Sequence, residues 1–124
     1  MEKKRQLIYF KNHYWDFFNQ QTEKVKDKID YVLYLVVMAE RIPGKFFEQL
    51  TGFDGLFEIR IEFESNIFRI FCCFDEGNIV VLFNGFRKKS QKTPKEEIER
   101  ALKLKEEYFN SKTKAGKSER NRKL

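Results

Sequence analysis

The sequence predicts an α+β fold in one domain: an N-terminal strand and two helices, a three-stranded antiparallel meander, and a C-terminal helix. Three observations predict it. Apolar residues recur at helical spacing over residues 14–36, they alternate with charged ones over residues 57–63, and Thr93-Pro94-Lys95-Glu96 carries the start signals of a last helix. A chain of 124 residues suits a single core and excludes a two-domain enzyme.

Gln6 to Lys11 (QLIYFK) is an apolar run long enough for a strand and too short for a helix. Tyr14, Trp15, Phe17 and Phe18 then recur at helical spacing. After Thr22, a plausible N-cap, Val25, Ile29, Val32, Leu33 and Val36 follow the i, i+4, i+7, i+8, i+11 rule of a second helix that stops before Pro43-Gly44. Lys45 to Leu50 reads as one more helical turn, and Thr51 to Gly55 as a turn cluster.

The meander follows. Phe57, Ile59, Ile61 and Phe63 alternate with Glu58, Arg60, Glu62 and Glu64, the period-two signature of a strand with one buried face. Ser65-Asn66 is expected as the first turn, Ile67 to Phe74 as the second strand, Asp75 to Asn78 as the second turn and Ile79 to Phe86 as the last strand. In the closing helix Thr93 can cap the Glu96 amide, Pro94 suits the first helical position, and Ile98, Ala101, Leu102, Tyr108 and Phe109 mark one face.

Composition narrows the function classes. With 14 Phe and 35% charged residues the chain has the aromatic content of a globular protein under a charged surface, which a disordered chain lacks. The net charge of +6 is uneven: residues 112–124 hold six Lys or Arg against one Glu, leaving only +1 for the rest. Residues 1–110 are therefore read as the domain and 111–124 as a basic, frayed tail without an apolar anchor before Leu124.

Cys72 and Cys73 are strand neighbours pointing to opposite faces, so no disulfide framework is expected. No apolar run approaches the roughly 20 residues that span a bilayer, and Met1 to Gln6 lacks a signal peptide's apolar core, so a cytoplasmic protein with reduced thiols and no membrane partner is expected. Metal-ligand spacings, Gly-rich phosphate loops and Ser/His/Asp groupings are missing from the sequence, and no cofactor is expected.

Sorting the meander by face singles out a site. With a Ser65-Asn66 loop, Glu62 stands opposite Arg69 and Arg60 opposite Phe71. A second turn closed by Phe74 and Ile79 sets Asn84 opposite Arg69. One face then holds Phe57, Ile59, Ile61, Phe63, Phe68, Ile70, Cys72, Phe74, Ile79, Val81 and Phe83 and must meet the helices. The other holds Glu58, Arg60, Glu62, Glu64, Arg69, Asn84 and Phe86, with Arg60 and Arg69 as diagonal neighbours about 7 to 8 Å apart.

Two guanidinium groups that close can share one phosphate. Arg87, Lys88, Lys89, Lys92 and Lys95 form a basic lip beside them, and Lys88 keeps the parity of the arginine face; such a surface suits a nucleic-acid backbone. The bland alternative is a cross-strand Arg69–Glu62 ion pair worth under about 1 kcal/mol, with Arg60 flanked by Glu58 and Glu62, and a solvated basic linker. A lone His13 reads as structural, and Trp15, Phe17 and Phe18 as core.

The motifs GLFEIRIEF at Gly55 to Phe63, IFRIFCCF at Ile67 to Phe74 and VVLFNGFRKKSQKTPKEEIERA at Val80 to Ala101 carry a resemblance. In this element order the chain, over roughly residues 5–109, resembles the RelE/ParE toxin superfamily of bacterial toxin–antitoxin modules, in its phage-derived, HigB-like branch. The resemblance implies a RelE-like fold and an mRNA interferase, an endoribonuclease that cuts messenger RNA on the ribosome. It implies metal-free chemistry in which the ribose 2′-hydroxyl attacks the adjacent phosphate and the 5′-hydroxyl leaves, and a cognate antitoxin, often of helix-turn-helix type.

Carried over by position, Arg60, Arg69 and Lys88 or Lys89 match the family's basic residues and become the catalytic candidates, with Asn84, Arg87, Lys92 and Lys95 as RNA-binding candidates. Many members place a Tyr or His near the final strand or helix; this chain has neither from Arg87 to Lys95. The proton donor to the leaving oxygen is therefore open, between a Lys of lowered pKa and ribosomal RNA. The alternative function is a ParE-like, non-enzymatic inhibitor of DNA gyrase, which shares the fold without needing an arginine pair. The basic tail is expected to add salt-sensitive affinity for ribosomal RNA or an acidic antitoxin segment.

Overall fold

A computed structural model describes residues 2–53, 55–89 and 94–123, the last eleven of these in backbone alone. The elements are β1 (Gln6–Tyr9), α1 (His13–Asn19), α2 (Glu23–Met38), β2 (Phe47–Gln49), β3 (Phe57–Phe63), β4 (Asn66–Asp75), β5 (Ile79–Lys88) and α3 (Lys95–Lys123). The strands form one sheet in the order β1-β5-β4-β3-β2, with β1 parallel to β5 and the other pairs antiparallel. The α+β class and the expected order of helices and meander strands hold.

The helices start and stop where local chemistry directs. Thr22 caps α2, its hydroxyl accepting the Val25 amide at 3.3 Å. At the other end of α2 the Arg5 guanidinium donates to the carbonyls of Val36, Ala39 and Glu40, acceptors that a helix terminus leaves unpaired. Val25, Ile29, Val32, Leu33 and Val36 are buried with Tyr14 and Phe17 of α1 against Ile59, Ile61, Phe68, Ile70, Cys72, Val80 and Leu82 of the sheet. Phe17 and Phe18 join that core as expected, whereas Trp15 stays partly exposed at the edge, beside Tyr9 and Tyr14.

Four expectations need correction. Lys45 to Leu50 forms no helical turn: Phe47–Gln49 is an edge strand paired with β3, and Phe47 stacks on Phe57 with ring centroids 5.3 Å apart. A single turn is too short to sustain a helix by itself, whereas a strand there satisfies the outer edge of β3. The first hairpin turns at Glu64-Ser65, with Phe63 paired to Asn66 and Glu64 at φ 56°. This two-residue slip from the expected Ser65-Asn66 loop leaves every side chain on its expected face but changes its partners.

In the second hairpin Asp75 pairs with Ile79 around Glu76-Gly77-Asn78, one residue off the expected Phe74–Ile79 closure. A one-residue shift exchanges faces, so Val80 and Leu82 meet α1 and α2, while Val81 and Phe83 face α3. A bulge then sits between Ile70 and Cys72 of β4, where β5 spends one extra residue and Gly85 comes opposite Ile70. Gly85 also lets α1 pack close: a Cβ there would lie 2.5 Å from the Phe17 ring.

The fourth correction concerns the second face of the sheet, expected to carry the polar and charged side chains while the first meets the helices. α3 covers part of it, burying Ala101 with Leu56, Phe71 and Phe86, and Leu104 with Cys73, Val81 and Phe83. The backbone of α3 runs on past Asn110, the expected start of the basic tail, to Lys123. The expected Thr93 cap lies outside the described residues.

Candidate functional site

β3 and β4 bring the two arginines together more closely than expected. Arg60 is directly opposite Arg69, so their backbones are separated by about 5 Å. Strand β5 adds Lys88, opposite Ile67 on the same face, because the bulge restores the parity that the turn had exchanged. These three cations lie past the packing of Phe71 and Phe86 against Ala101. The Arg60 amide donates to the Phe46 carbonyl at 2.8 Å, which ties its strand to the segment leading into β2.

The group that makes this crowding tolerable is Glu58. Its Oε1 accepts a hydrogen bond from Arg69 Nη1 and lies 3.8 Å from Arg60 Nη2. The corrected register explains the choice of partner: Glu58 faces Phe71 and is thus diagonal to Arg69, whereas Glu62, the expected partner, faces Ile67 and is exposed. The Glu58 and Arg69 side chains are only 5% and 7% exposed, against 30% for Arg60. Glu58 Oε2 and Arg69 Nε are both buried without a hydrogen-bond partner among the described residues.

Three cations around one carboxylate leave a net excess of positive charge that can hold an anion. Lys88 registers this field: burial lowers its pKa most, Arg69 and Arg60 lower it further, and Glu58 acts in the opposite direction. Arg60, half-buried, and Lys88 are the cations with reach into solvent; Arg69 is held inside.

The other sequence-predicted residues are distributed differently. Lys89 is exposed, one residue past the end of β5. Arg87 pairs with Phe68 and so belongs to the opposite face, beside Thr22, Phe63 and Asn66. Asn84 is buried, and its Nδ2 donates to the Glu97 carbonyl at 3.1 Å and lies 3.3 Å from Glu97 Oε1, so it docks the first turn of α3. Lys95 is exposed at the start of α3, 4.0 Å from Glu99. Lys92 lies outside the described residues. His13 opens α1 and lines a shallow cleft with Lys11, Arg100 and Glu107, apart from the cluster.

Glu58 is the residue that sequence reasoning undervalued. Parity puts it on the arginine face as a flanking charge, and the register of the first hairpin makes it the partner of Arg69.

Residues 16–106 match the family model described as phage derived protein Gp49-like (DUF891). No curated protein matches the chain in sequence. Among solved structures the chain is similar to one described as the archaeal RelE-RelB complex from Pyrococcus horikoshii OT3, at 11% identity and a TM-score of 0.46, over 71% of this chain and 98% of that one.

Proposed function

Because the chain belongs to the phage-derived Gp49-like family, the branch of the RelE/ParE superfamily that its motifs resemble, we propose that it is the toxin of a toxin–antitoxin module. Its activity is cleavage of messenger RNA on the ribosome, and a cognate antitoxin, of helix-turn-helix type in this branch, neutralises it. The observation that carries the reading is the cation cluster of Arg60, Arg69 and Lys88 on one face, with Arg60 and Lys88 turned outward.

In the proposed step the ribose 2′-hydroxyl attacks the adjacent phosphorus and gives its proton to solvent, the bond from phosphorus to the 5′-oxygen breaks, and that oxygen leaves by taking up a proton in return. The products are a 2′,3′-cyclic phosphate and a free 5′-hydroxyl. Negative charge grows on the equatorial phosphate oxygens, and preorganised cations held against that position lower the barrier. Arg60 supplies a forked donor and Lys88 a point charge, while Lys89, Lys92 and Lys95 add attraction for the RNA backbone. The lowered pKa of Lys88 also suits it to protonate the leaving oxygen.

The test is cleavage in a purified translation system. Arg60→Ala and Lys88→Ala should each slow cleavage by roughly 100-fold while the protein stays folded. Arg69→Ala is a poorer probe because it strands the Glu58 carboxylate, which costs about 3 kcal/mol or more of stability. Undiminished cleavage by both of the first two variants would remove these side chains from the reaction. Inhibition of gyrase supercoiling without any RNA cleavage would overturn the nuclease reading as a whole.

A further inference from the structure

The cluster contains a group for which phosphate binding has no direct use. A carboxylate next to a phosphodiester repels it, yet Glu58 lies between the two arginines and is nine-tenths buried. Its Oε1 is committed to Arg69, and its Oε2 is sealed from solvent, so no substrate atom reaches either oxygen as a base. The register also demands something between the arginines, because two like charges directly across a strand pair repel.

We propose that Glu58 is a positioning residue: through Oε1 it locks Arg69 inside the sheet face and leaves Arg60 and Lys88 as the pair that meets a phosphodiester directly. The substrate half of this statement rests on the nuclease reading above; the positioning half does not. Arg69 acts through Glu58 and through its charge on Lys88. Among the described residues, the charged groups acting on Lys88 of β5 are Arg69 of β4 and Arg60 and Glu58 of β3, and Glu58 is the one of these that favours its protonated form.

Removing only the negative charge, with Glu58→Gln, therefore has opposed effects. The anion meets one more unit of net positive charge, so KM does not rise. The guanidinium groups lose their shared anchor, and misplacement of this order costs about 100-fold in kcat. The alkaline limb of the pH profile moves to lower pH because Lys88 loses its favourable neighbour. Glu58→Asp, which keeps the charge on a shorter stem, recovers part of kcat and restores the alkaline limb. A residue that merely held the fold together would lower the active fraction and leave KM and the pH limb where they were.

The experiment combines kinetics of the full chain and these two variants with side-chain NMR. In the unmodified protein the Arg69 Nε–H should exchange with water at least tenfold more slowly than that of Arg60, and in Glu58→Gln that difference should disappear. Equal exchange of the two arginines in the unmodified protein would overturn the proposal, as would a folded Glu58→Gln that keeps both kcat and the Lys88 titration. If Glu58→Gln does not fold, the unmodified protein's exchange rates and the Glu58→Asp variant decide the matter in the same way. A protein that cleaves no RNA sinks the nuclease reading alone, because Arg69 exchange and Lys88 titration still report on Glu58.

Discussion

A lysine packed beside two guanidinium groups holds its proton less firmly than one in water. In Lys88 burial makes the largest contribution, and the charges of Arg69 and Arg60 add to it. Its ammonium is therefore lost below the ordinary lysine pKa of about 10.4. If cleavage needs that charge, the rate falls on the alkaline side earlier than an exposed lysine would dictate. Lys88→Arg keeps a cation that does not titrate there and gives up a proton poorly, so the rate should fall and its pH–rate profile should lose that limb; superimposable profiles would show that Lys88 does not set it. Arg60 and Arg69 were legible as one face because a slip of two residues preserves parity, and Lys88 joins them because the bulge in β5 cancels the one-residue shift of the second hairpin. The burial of Glu58 was not, because nothing in an alternating strand marks which exposed-face charge will be covered.

At the scale of elements, α3 is fastened to the turn between β4 and β5 by a polar clamp. Tyr108 donates to Asp75 Oδ2 at 2.6 Å, and Lys112 Nζ donates to both Asp75 oxygens at 2.8 Å and to Glu76 Oε1 at 2.9 Å. Burial by itself would raise the Asp75 carboxyl pKa, but the hydrogen bonds from Lys112 and Tyr108 outweigh it and the net direction is downward. Burial and the Asp75 hydrogen bond push Tyr108 up to about 12, and the carboxylates raise Lys112.

The signs define a window. The Asp75 contribution is complete above its unfolded pKa near 3.9 and is lost as pH falls through its lower folded value. The Lys112 contribution is complete below its unfolded value near 10.4 and is lost as pH rises through its higher folded value. In an acid titration followed by NMR, resonances of residues 104–112 should depart before those of α2, and Asp75→Asn should bring that departure to neutral pH. Simultaneous loss of both helices would mean that the clamp carries no separate stability.

The elements themselves show where sequence reading stops. α1, α2 and the meander strands follow from periodicity, which is local. β2 does not, because Phe47–Gln49 is a strand only by virtue of its pairing with β3. The register of both hairpins likewise depends on which residues accept left-handed backbone, and here Glu64 and Glu76, two unpromising candidates, do so at φ 56° and 42°.

For the molecule as a whole, charge is the property that reaches furthest from the sheet. The chain carries +6, and residues 113–124 contribute five Lys or Arg against Glu119. Because Lys112 belongs to the clamp, truncation after Lys112 should leave thermal stability nearly unchanged while flattening the salt dependence of ribosome binding, as removal of several backbone contacts does. Equal salt slopes for the two lengths would make the segment a bystander.

The extra residue in β5 works like a half-turn in a ribbon. Upstream of it, neighbouring side chains divide themselves between two apolar layers; downstream, Phe86 closes one of those layers and Lys88 enters the charged cluster. Excising one position between Leu82 and Gly85 would swing that lysine to the far side of the sheet while leaving the upstream layers intact. Hydrophobic interior and charged surface are therefore geared to each other through one irregular step, and neither can drift in length without the other.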